Sequence, residues 1–142
     1  MKKIGRIMTC AALGVVALGG IAAAHGTGEH GGMSHDPQMQ KLHAMMPMFS
    51  ESSAQLETAL AKGDQAAADH EAGRILAAIP DLKKSRPHRN VKLKKGFVKL
   101  AGQLGEQTTQ VRDLARKGEF PAARAAFQKL EATCGECHEK YR

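Results

Sequence analysis

Tryptophan is absent from the 142 residues, tyrosine occurs once, phenylalanine four times, and aromatics make up 4% of the chain. A core built on large rings is thereby excluded, and many inward positions must be filled by alanine. Cysteine is almost as scarce, with three residues. That number rules out the disulfide scaffolds that stabilise small secreted domains. No segment alternates apolar and polar residues over strand length, so a sheet is not expected. Long apolar runs are missing too, except at the N-terminus.

That exception reads as a secretory signal over residues 1–24. Lys2, Lys3 and Arg6 form a basic start, Ile7 to Ile21 is apolar, and Ala22-Ala23-Ala24 supplies a small-residue cleavage site. As a membrane anchor the stretch is short of the ~20 residues a bilayer requires. Cleavage removes three basic residues from a formal charge of +7 and leaves a mildly basic chain, without the basic excess of a nucleic-acid binder. Export predicts a periplasmic protein with no stable membrane insertion. Cys10 lies in the discarded segment, leaving Cys134 and Cys137 alone in a compartment where thiols oxidise.

Residues 25–36 (HGTGEHGGMSHD) are glycine-rich, polar and aperiodic. They read as a disordered leader, because they cannot bury enough apolar area to offset the entropy of ordering. Its histidines and Met33, together with His43, Met39, Met45, Met46 and Met48, have a composition suited to copper or zinc. From residue 37 to 142 the pattern is helical. Asp36-Pro37 caps and starts a first helix over 37–62, with Met39, Leu42, Met46, Phe49, Ser53, Leu56 and Leu60 as its inward stripe. Pro47 predicts a kink or restart near 43–47. A second helix over 65–79 ends at Pro80. A third is announced by Asn90 and runs to Lys117-Gly118, and a fourth starts near Pro121. The echo between ALAKGDQAAA and LARKGEFPAA makes each half an αα-hairpin, and two hairpins without strands predict an all-α, antiparallel up-down-up-down four-helix bundle.

The fourth helix has the cleanest stripe: Phe120, Ala123, Phe127, Leu130, Cys134, Cys137 and Tyr141, in alternating steps of three and four. Cys134-Gly135-Glu136-Cys137-His138 is C-x-x-C-H, the attachment pattern of c-type haem. On a helix, positions i and i+3 share a face, so two thioethers can reach one porphyrin edge while His138 aims its imidazole at the iron as proximal ligand. A structural disulfide, a redox C-x-x-C and a zinc half-site are the competing readings. No βαβ unit surrounds the motif as in thioredoxin-like proteins, and zinc would need ligands from elsewhere.

A four-helix chain ending in CGECHEKYR resembles the class II c-type cytochromes, the cytochrome c-prime and cytochrome c-556 group. In that group the motif lies near the end of the fourth helix and is followed by an aromatic and a basic residue, as with Tyr141 and Arg142. The resemblance is carried by residues 134–142 and, over 36–142, by architecture. It implies one covalent haem c per chain and a distal position filled from the early first helix. In an up-down bundle the end of helix four, the start of helix one and the connection between helices two and three share one end. His43, Met45, Met46, Met48 and His88 can therefore reach the distal face. Matching the helical stripe selects Met46, with Met45 second; a methionine thioether favours a six-coordinate, electron-carrying iron. If the methionines only fill core space, the iron is five-coordinate and open to nitric oxide or carbon monoxide.

The connection DLKKSRPHRNVKLKK, with seven Lys or Arg against one Asp, is either a solvated loop or a surface that steers an acidic redox partner. His70 reads as a surface side chain. No second cofactor motif or acid/base pair appears, so catalysis is not expected. A homodimer is left open.

Overall fold

The computed structural model describes residues 36–142; the signal and leader expectations fall outside the described residues. Four helices follow in order: α1 (Pro37–Lys62), α2 (Gln65–Lys84), α3 (Lys94–Arg116) and α4 (Phe120–Tyr141), with a 3₁₀ turn at Val91–Leu93 before α3. Among the described residues there is no strand. The helices form an antiparallel four-helix bundle in which α1–α2, α2–α3 and α3–α4 pack closely, while α1 and α4 meet over a much shorter contact.

Local chemistry accounts for the boundaries. The Asp36 carboxylate accepts the Gln38 N–H at 2.9 Å, and Pro37 follows with its fixed φ. Asp64 caps α2 by accepting the Ala67 N–H at 3.0 Å. The two hairpin turns reuse one device: Gly63 (φ 69°) and Gly118 (φ 76°) sit in the left-handed region, which a side chain disfavours.

Two sequence expectations change. Pro47 does not restart α1, which is one continuous helix. Pro80 does not end α2, which continues to Lys84. The extra turn buries Leu82 (5% exposed), ties Asp81 to Lys41 of α1 at 2.9 Å, and closes on Ser85, whose hydroxyl donates to the Leu82 carbonyl at 2.7 Å. The effective stop is Arg86-Pro87, because a residue before proline is disfavoured in the α region.

The core is aliphatic and small. Leu56, Leu60, Ala68, Ala72, Val111, Ala115 and Ala123 are all fully buried, so α2 approaches its neighbours on alanine instead of bulky side chains. On α1 it is Ser52, not Ser53, that is fully buried. Beside it lies the buried carboxylate of Glu71, which accepts from His70 Nδ1 at 2.9 Å and from Arg74 at 3.2 Å; Arg74 also reaches Glu51 at 3.2 Å. The His70 side chain is itself exposed, as expected. Burial alone would raise the Glu71 carboxyl, but hydrogen bonds from His70 and Ser52 and the charge of Arg74 outweigh it and leave it below the usual range.

Because the folded value is depressed, this contribution to stability is complete above the unfolded carboxylate pKa, about 4.3, and is lost as pH falls through the folded value. Glu71→Gln is therefore expected to cost about 1–2 kcal/mol at pH 7. Thermal melts of the two proteins should converge as the pH is taken below about 4.

Candidate haem site

Three segments distant in sequence come together at one end of the bundle, as the topology required. The last carbonyls of α4, which have no partner within the helix, are taken up by the α2–α3 connection. Tyr141 O accepts from the backbone N–H of His88 at 3.1 Å and of Arg89 at 3.2 Å. Lys140 O accepts from Asn90 Nδ2 at 2.7 Å. Asn90 was expected to announce α3; instead it adopts a left-handed conformation (φ 54°) with no side-chain cap bond, and its amide closes α4. The start of α1 joins the same end through the Arg86–Asp36 ion pair at 2.7 Å and the Arg86 N–H to Gln38 O bond at 3.4 Å.

Tyr141 anchors α4 from within. It is buried, donates to Leu93 O at 3.1 Å, and meets Phe97 edge-on with centroids 5.4 Å apart. The contact requires Gly96, where a Cβ would fall 2.5 Å from the Tyr141 hydroxyl oxygen. Neither Gly96 nor the carbonyl clasp had a recognisable sequence signal, since both depend on partners about 50 residues away. Gly96→Ala is expected to displace the ring and cost about 1–3 kcal/mol by overpacking, with Tyr141→Phe costing about 1 kcal/mol for its hydrogen bond; thermal melts check both.

The motif lies one turn before that anchor, inside a continuous helix. Cys134 and Cys137 are free thiols, half-buried and packed against the core. Burial first, then the Glu131 charge, raises the Cys134 thiol. Burial, Cys134 and Glu136 push Cys137 up to about 11. Both shifts run opposite to the lowered thiol of a redox C-x-x-C. His138 is exposed. Among the described residues no three His, Cys, Asp or Glu side chains gather as a metal-binding group, so the zinc half-site finds no complement there.

Helical angles place these groups. At about 100° per residue, His138 lies on the same line of α4 as Phe120, five turns earlier. A Cβ on Gly63, at the C-terminal end of α1, would lie 3.6 Å from the Phe120 ring, so the start of this line lies against the end of α1. On α1 the Met48 sulfur lies 3.7 Å from Ser52 Oγ, and the Ser52 hydroxyl faces Glu71 of α2. Met45 is within about 20° of Ser52 around the helix, whereas Met46 is about 120° away, turned from the Ser52 side. Met45 and Met46 are both half-buried against the core. His43 and His88 are exposed and contact each other through Nε2, so neither turns inward.

The donor set fits a c-type haem: two free thiols on one helical face and an imidazole one residue on. The family model described as Cytochrome C' matches residues 89–142, the 3₁₀ turn and the α3–α4 hairpin. The C-terminal hairpin is thus similar to the cytochrome c' family. With the four-helix architecture, the match supports a class II c-type cytochrome, a c-type haem protein of electron transfer or gas binding. No curated protein matches the chain. Among the described residues no helix is long and apolar enough to cross a membrane.

Proposed function

We propose that this cytochrome is a periplasmic one-electron carrier and not an enzyme. One haem c would be held by thioethers to Cys134 and Cys137, with His138 as proximal and Met46 as distal ligand. The observation that carries the reading is the pair of half-buried thiols on the inward stripe of α4, one residue before an exposed histidine. The bound iron supplies the electron chemistry by cycling between ferrous and ferric states. The protein supplies a fixed imidazole, held by the Tyr141 anchor, and a thioether at an angle that turns away from α2. Met48 lies against Ser52 on the α2 side, which favours Met46.

Lys83, Lys84, Arg89, Lys92, Lys94 and Lys95 are exposed at the same end, around Leu93, which is 59% exposed. A basic rim about an apolar tip suits brief docking of an acidic redox partner, and salt would weaken the encounter. The test is the absorption spectrum of the secreted haem-loaded protein, oxidised and reduced, with and without carbon monoxide. A low-spin spectrum indifferent to carbon monoxide supports the carrier. A high-spin spectrum that shifts with the gas transfers the assignment to binding of nitric oxide or carbon monoxide.

A further inference from the structure

The His43 ring of α1 and the His88 ring of the α2–α3 connection meet with Nε2 facing Nε2, their centroids 4.4 Å apart and their planes inclined at 36°. Two neutral imidazoles can share that approach through a hydrogen bond only when one presents N–H and the other a lone pair. With both protons on Nδ1, the same arrangement turns two lone pairs toward one point, which is how imidazoles bind a metal ion.

The two rings are positioned independently of their contact. His43 stands within the continuous helix α1. His88 is held by its backbone N–H to Tyr141 O at 3.1 Å, and Pro87 before it is fully buried. Met39 lies four residues before His43, hence one turn away on the same face of α1, and is half-buried. Its thioether therefore lies on the side of α1 that carries His43.

The donor chemistry selects the ion. Among the described residues no carboxylate, thiol or third imidazole joins the pair as a group of three. A structural zinc site closes with four ligands, which two imidazoles and one thioether do not supply. Imidazole with soft thioether favours copper, and thioether favours its monovalent form. Charge points the same way. Asp36 is paired with Arg86 at 2.7 Å and Arg89 stands next to His88, so a +1 ion on neutral donors is opposed less than a +2 ion.

We propose that His43 and His88, assisted by Met39, bind one copper(I) ion at a site separate from Cys134, Cys137 and His138. Slight rotation of the two exposed rings opens the gap to bonds of about 2 Å, the usual metal–imidazole length.

The test is equilibrium dialysis of the secreted, haem-loaded full chain against copper(I) buffered by bathocuproine disulfonate, read as copper bound per chain. The leader is silenced by His25→Ala, His30→Ala, Met33→Ala and His35→Ala together. That variant should retain one tightly held copper. Adding His43→Ala, His43→Gln or His88→Ala should weaken binding at least tenfold, and Met39→Leu by less, with the haem absorption spectrum unchanged throughout. The proposal is overturned if the leader variant holds no copper or if the histidine substitutions leave binding intact. It is equally overturned if those substitutions change the haem spectrum, which would make the histidines iron ligands.

Discussion

Secreted protein carrying both Cys134→Ala and Cys137→Ala is expected to lose all of its haem to acidified ketone extraction, and its mass should be that of the bare polypeptide. The wild type should keep its colour under the same treatment. Each single substitution leaves one thioether and should retain haem with a weakened bundle. The double variant is also expected to be much less stable, because its small-residue interior would lose a large apolar ligand. Tryptophan is absent, α2 turns Ala68 and Ala72 inward, and α1 and α4 touch over a short border. Burying a porphyrin contributes on the order of 10 kcal/mol as an upper bound, comparable with the whole net stability of a small domain. Removing the covalent link does not remove all of that, since His138 can still bind, so a loss of several kcal/mol is expected. Mass spectrometry of the intact chain and denaturant melts check the two parts separately.

Met46→Ala is expected to convert the haem of the whole population from low to high spin and to create carbon monoxide binding that the wild type lacks. Removing an axial thioether should lower the reduction potential by on the order of 0.1 V, a fraction of the ~0.8 V that axial ligands control. Met45→Ala is the control. Its angle groups it with Ser52 on the α2 side, so its spectrum should stay unchanged although the core loses about 2 kcal/mol of packing. A spin change in Met45→Ala with none in Met46→Ala would reverse the ligand assignment.

Much of this was legible from periodicity and spacing. The stripe of α4 predicted which face holds Cys134 and Cys137, and both pack against the core. The repeated Lys-Gly-acid turns predicted two hairpins, and both glycines adopt positive φ. The boundaries that failed did so for one reason. Local rules treat Pro80 as a stop and Ser53 as inward, whereas burial of Leu82 and the Glu71 cluster decide otherwise. Propensities of this kind are a weak prior that tertiary packing overrides.

Chain order and residue type were enough to establish the helical class, the two hairpins, the haem motif and the end of the bundle where it must lie. These depend on neighbours a few residues apart, which share a helix face by geometry alone. Three-dimensional packing was needed to place Ser52 instead of Ser53 in the interior beside Glu71. It was needed also to seat Tyr141 against Gly96, to close α4 with Asn90, and to bring His43 against His88. Each of these depends on two segments meeting, and no periodicity within one segment reports where the other will lie.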